Sequence, residues 1–100
     1  MRQTRLPANF SWHRQAVGGV PSEVYALFLG GPHGVEVARV ERRITEGWLV
    51  EVNRHLDTYG RARASSLPVG QKWVERWATA HGARLLSNAA DLAARAGPQD

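Results

Sequence analysis

The sequence predicts an α+β fold: an antiparallel sheet of four or five strands, one long C-terminal helix packed on one face, and a short terminal helix. Three observations predict it. From residue 10 to residue 64, apolar and polar side chains alternate in short runs punctuated by glycine and proline, the period of half-buried strands. From Ser66 onward the period lengthens to that of an amphipathic helix. A chain of 100 residues has room for one domain with a single modest core.

Residues 1–9 have no period and contain Pro7 and Asn9, so they read as a flexible N-terminal arm ahead of a single domain over 10–97. Phe10, Trp12 and Arg14 alternate with Ser11, His13 and Gln15, giving a strand near 10–17 that Gly18-Gly19 stops. Residues 24–29 are apolar and β-preferring and end at Gly30-Gly31-Pro32. They read as a strand, with a helix opening at Pro21 as the alternative. Two β-patterned runs between 35 and 56 flank Thr45-Glu46-Gly47, a length and glycine placement that suit a three-residue hairpin loop. Pairing Ile44 with Trp48 sets Arg42 against Val50, Val40 against Val52 and Ala38 against Arg54. Ala38, Val40, Ile44, Trp48, Val50 and Val52 then share one face, and Arg39, Glu41, Arg43, Glu51, Asn53 and His55 share the other. A two-residue Glu46-Gly47 turn would set charged residues beside Val50 and Val52, which burial rejects. Asp57-Thr58-Tyr59-Gly60 turns the chain into a further strand whose Arg61 and Arg63 face outward. Ser66 caps the main helix, 66–85, with Pro68 in its first turn and Trp73, Val74, Trp77, Ala78, His81 and Leu85 as its apolar stripe. A short helix from Ser87 or Asn88 to Gly97-Pro98 closes the chain.

Thirteen Lys+Arg against nine Asp+Glu give a formal charge of +4. All the bases except Lys72 are arginine, whose forked guanidinium suits phosphate and carboxylate. The absence of cysteine excludes disulfides, thiolate catalysis and cysteine-held zinc or iron–sulfur centres. Met1 to Pro7 lack the apolar run of a signal peptide, and no stretch approaches the roughly 18 apolar residues of a membrane span, so the expected setting is cytoplasmic with no membrane partner. His13, His33, His55 and His81 fall on different elements with no i,i+4 pair, so neither a metal nor a cofactor is expected. Phosphate-cradling glycine motifs and the nucleophile-elbow pattern are missing. His55 with Asp57 is the only candidate base, for a phosphodiesterase, and it has no second base, so the chain reads as not an enzyme. Trp73 and Trp77, four apart, would make a base-stacking platform if exposed, but their stripe with Val74 and Ala78 assigns them to the core. Trp12 and Tyr59 are the candidates for exposed aromatics.

The candidate site is the outer sheet face. Arg39, Arg43, Arg61 and Arg63 project from it with Asn53 and His55, and Ser66 and Lys72 at the start of the main helix extend the rim. Guanidinium groups, a serine hydroxyl and first-turn amides are what phosphate binding requires. Glu41 and Glu51 on the same face leave a second reading open, a cross-strand ion-pair surface that no partner touches.

A sheet delivering the chain into a C-terminal helix is similar in topology to the last two thirds of a double-stranded RNA-binding domain. That family's N-terminal helix and lysine cluster are missing, since Leu67-Pro68-Val69-Gly70-Gln71-Lys72 offers a single lysine, so its RNA-binding role does not carry over. Glu46-Gly47-Trp48 leading a strand, then Ser65-Ser66-Leu67, Gly70, Trp73-Val74-Glu75, Trp77-Ala78 and His81, resembles the pattern of small uncharacterised proteins of proteobacterial phages, prophages and mobile elements over about half the chain. The resemblance implies a non-catalytic binder of host machinery, and anti-CRISPR inhibitors are one class of this size. Many of those are acidic, unlike this chain. The expected function is therefore a small non-catalytic binding module whose basic sheet face engages nucleic acid or a nucleic-acid-handling complex. The alternative is a phage or mobile-element inhibitor that binds a host protein, with a homodimer paired along a free sheet edge as one form of it. A phosphodiesterase ranks third.

Overall fold

Because the alternation runs from Phe10 to Ala64 with only short turns between strands, neighbours in sequence become neighbours in the sheet. The computed structural model describes residues 6–43 and 47–95. Five strands, β1 (Phe10–Val17), β2 (Val20–Leu29), β3 (Val35–Arg43), β4 (Gly47–Val52) and β5 (Gly60–Ala64), form one antiparallel meander in the order β1-β2-β3-β4-β5. Two helices, α1 (Leu67–Ala80) and α2 (Gly82–Arg95), follow. This is the expected α+β architecture, and the 21–29 segment is a strand. Gly18 and Gly19 join β1 to β2 with φ values of 60° and 81°. A two-residue hairpin turn needs that left-handed backbone to match the twist of its strands, and side chains resist it.

One face of the sheet is the core. Phe10, Leu27, Leu29, Val37, Ala38, Val40, Val50 and Val52 are buried there, with Trp12, Ala62 and Ala64 packed at its margin. Val37 and Ala38, consecutive in sequence, both join it because the β2–β3 register shifts between Leu27 and Phe28. Onto this face α1 lowers Gly70, Val74 and Ala78, and α2 adds Leu85. Burying a side chain such as Leu27 or Val74 contributes about 1.5–3 kcal/mol. Gly70 sets the approach of α1. A Cβ there would lie 2.9 Å from Val40 Cγ1 and 3.3 Å from Ala64 Cβ. The Trp12 indole donates to Glu75 Oε2 at 2.9 Å and so ties the first strand to α1.

Several expectations are corrected. Leu6 packs on the core and Pro7 O accepts from Phe10 N, so the described end of the expected arm belongs to the fold. Residues 1–5 and 96–97 lie outside the described residues. Val40 faces Val50 and Ala38 faces Val52, a slip of two residues from the expected pairing. A slip of two keeps parity, so burial is satisfied equally and the residues within β3 and β4 keep the faces anticipated for them. Trp48 now opposes Arg42, and Ile44 lies outside the described residues. The continuous 66–85 helix divides instead at His81-Gly82. His81 leaves helical geometry at φ −112°, ψ 16°, its N–H bonds Trp77 O, and glycine is a weak helix former. The break allows Leu85 to reach the core from a second axis, and α2, expected to be short, matches α1 at 14 residues. Trp73, assigned to the core, is 43% exposed. Gly70, Val74 and Ala78 define the buried stripe and Trp73 falls beside it, while Trp48 and Trp77 are half-buried against the core.

Candidate nucleic-acid interface

The face of the sheet opposite α1 carries a chain of ion pairs. Arg39 donates to both oxygens of Glu36, Nε at 2.7 Å and Nη2 at 2.9 Å. That bond raises the guanidinium pKa above its ordinary value, against the opposing pull of burial. Glu41 lies 4.0 Å from Arg39 and 3.4 Å from Arg43. Arg54 lies 3.4 Å from Glu36 and 3.2 Å from Glu51, and Arg61 reaches the other Glu51 oxygen at 3.1 Å. Glu51 is buried among them, and Arg54 covers the ring of exposed Tyr59 at 4.6 Å. Arg63 is exposed and also has a partner. Of the two readings left open for this face, the geometry matches the ion-pair surface for Arg39, Arg43 and Arg61.

Arg54 was not among the expected site residues. By strand alternation it belongs on the core side, but Asn53 adopts φ 60° and breaks the alternation, which brings Arg54 to the side of Glu51. Asn53 was the available signal, since asparagine tolerates left-handed backbone better than most residues. The same turn removes Asn53 and His55 from the outer face. Asn53 Oδ1 accepts from Arg84 Nη2 at 3.1 Å, and His55 Nε2 meets Asn88 Oδ1 at 3.1 Å, so both serve to dock α2. Because Asn88 Oδ1 also accepts from Arg84, His55 Nε2 carries the proton, and its Nδ1 is buried with no hydrogen-bond partner among the described residues.

Ser66 and Lys72 lie on the helix side of the sheet and do not continue the arginine rim. Ser66 caps α1, its Oγ accepting from Val69 N at 3.3 Å. Lys72 stands on the solvent face of α1 with Trp73 and Arg76, all exposed. Among the described residues, neither Lys72 nor Arg76 makes an ion pair or a side-chain hydrogen bond. Glu75, the one acid of α1, is turned toward β1 by its bond to Trp12. Four residues of helix separate Lys72 from Arg76 by about 6 Å along the axis, with the Trp73 indole between them in sequence. Val69, 52% exposed and one turn before Trp73, extends the apolar part of the strip. Two cations without an acid partner thus sit beside an open aromatic on α1, whereas Arg14 and Arg84, also without a carboxylate, are bonded to Ser22 O and to Asn53 and Asn88, and Arg95 stands apart at the end of α2. The sequence signal for it is Trp73 itself: the buried stripe of α1 is centred on Gly70, Val74 and Ala78, which leaves Trp73 beside it.

An open groove of about 540 Å³ between the start of β1 and α2, lined by Phe10, Leu29, Leu86 and Ala89 among others, has no titratable side chain in its wall. Among the described residues no three His, Asp or Glu gather to hold a metal, and no helix is long and apolar enough to cross a membrane. Comparison with protein-family models, curated proteins and solved structures finds no match.

Proposed function

We propose that the protein is a non-catalytic module that binds nucleic acid or a nucleic-acid-bearing complex, and that the contact runs through the solvent face of α1. One observation carries this reading. Lys72 and Arg76 are exposed cations without carboxylate partners, one turn apart in a row that runs beside the exposed Trp73. A polyanion meets them without breaking an existing bond. On the sheet face, by contrast, a phosphate at Arg39, Arg43 or Arg61 must displace a carboxylate, and Arg39, 22% exposed and doubly bonded to Glu36, is poorly placed to exchange. Arg43 and Arg61, at 50% and 66% side-chain exposure, hold pairs of the weak surface kind, about 0.2–1 kcal/mol each, and can contribute secondarily. The net charge of +4 favours encounter with polyanions. A non-catalytic role is supported by His55, whose Nε2 is bonded to Asn88 and whose Nδ1 is buried away from solvent.

The test is a gel-shift titration at two salt concentrations with wild type, Lys72→Gln/Arg76→Gln and Arg61→Gln/Arg63→Gln. Neutralising two phosphate contacts lowers the log–log salt slope by about two and weakens binding across sequences. The α1 pair is expected to produce that loss and the β5 pair a smaller one. Absence of retardation of DNA and RNA at low salt, or a loss confined to the β5 pair, would overturn the assignment.

A further inference from the structure

We infer that the α1 surface takes single-stranded nucleic acid, with an unpaired base stacked on Trp73 and the flanking phosphates on Lys72 and Arg76; the inference rests on the polyanion reading just given. Electrostatics alone does not choose between duplex and single strand, since both present phosphates. The aromatic does. Trp73 is 43% exposed and Val69 one turn earlier is 52% exposed, so the row of two cations borders an apolar strip instead of further polar donors. In a duplex the flat faces of the bases are occupied by their neighbours, and an indole offers their edges one donor only. A single strand frees those faces, and stacking on an aromatic is tolerant of sequence. An acidic peptide would satisfy the cations, but it has no flat ring to lay on the indole.

The charges facing this surface are consistent with a polyanion. Glu75 is held toward β1 by Trp12, and no other acid lies on α1. The other three tryptophans, Trp12, Trp48 and Trp77, are half-buried against the core, so Trp73 is the indole most open to a ligand. Its emission is then a reporter of stacking.

The experiment titrates the full chain with oligothymidine, a duplex of matched charge, and polyglutamate, following tryptophan fluorescence and electrophoretic retardation. Oligothymidine is expected to quench the emission and bind more tightly than the duplex, while polyglutamate does neither. Trp73→Ala is expected to weaken oligothymidine binding roughly 5- to 100-fold with unchanged thermal stability, remove the quench and leave duplex binding in place. Trp73→Phe keeps part of the affinity. Equal binding of single strand and duplex with no effect of Trp73→Ala overturns this inference and leaves the polyanion reading standing. Polyglutamate competing as well as oligothymidine also overturns it, in favour of an acidic protein partner. No retardation of either nucleic acid at low salt removes the parent reading, and this one with it.

Discussion

Replacing Glu51 by glutamine removes the charge at the centre of the sheet-face network while keeping the shape of the side chain. Glu51 is 8% exposed at its side chain and accepts from Arg54 Nη1 at 3.2 Å and from Arg61 Nε at 3.1 Å. A hydrogen bond to a charged group contributes about 1.5–3 kcal/mol when desolvated, and an exposed pair about 0.2–1 kcal/mol. Arg61, 66% exposed, belongs to the second class and turns to water when its partner is lost. Arg54, 20% exposed, belongs to the first, although Glu36 at 3.4 Å continues to compensate part of its charge. Together these give a loss of about 2 kcal/mol, a fall in Tm of roughly 8–16 °C for a domain of this size. Urea denaturation at unchanged m-value measures it. Double-mutant cycles with Arg54→Gln and Arg61→Gln then apportion it, with more than about 1 kcal/mol of coupling to Arg54 and less than that to Arg61. A loss under about 0.5 kcal/mol, or stronger coupling to Arg61, would refute the picture of a desolvated carboxylate that keeps the sheet arginines from other anions.

Gly70→Leu forces a side chain into the contact with Val40, Ala64 and Val50, and is expected to cost at least about 1–3 kcal/mol by overpacking, read as a lowered urea midpoint. An unchanged midpoint would mean that α1 does not sit this close to the sheet. Trp12→Phe removes the donor to Glu75 and is expected to cost about 1 kcal/mol. The released carboxylate can then pair with Lys72 three residues earlier, worth about 0.3–0.5 kcal/mol, so oligonucleotide affinity falls roughly twofold. Affinity that rises would show that Glu75 already screens Lys72 in the wild type.

The sheet was legible where burial alone decides. The parity of Ala38, Val40, Val50 and Val52 is set by the need to hide valine from water, and Gly18-Gly19 marks a two-residue turn by its backbone demands. The β3–β4 pairing was not legible, because a slip of two residues leaves the same side chains buried and only the turn distinguishes the two registers. The slip sets Arg39 opposite Glu51 and Glu41 opposite Leu49, but the carboxylates that Arg39 and Arg43 meet, Glu36 and Glu41, lie on their own strand. Asn53 hid the position of Arg54 and His55, since one left-handed residue breaks the alternation of the residues next to it in the turn. On α1 the difference is angular. Drawing the stripe through Trp73 buried a side chain that Gly70, in fact the residue under the helix, leaves at the surface. An arginine-rich surface shows in composition, but which of its charges are already spent shows only in three dimensions.

Locating the contact is the most direct test of the claim that the unpaired cations of α1, and not the paired arginines of the sheet, meet the polyanion. Backbone amide shifts of the labelled protein, followed during titration with oligothymidine, do this residue by residue. The account predicts salt-sensitive shifts concentrated from Val69 to Trp77, with Arg39, Arg43, Arg61 and Arg63 moving little. Shifts centred on β3 and β5 with α1 silent would contradict it.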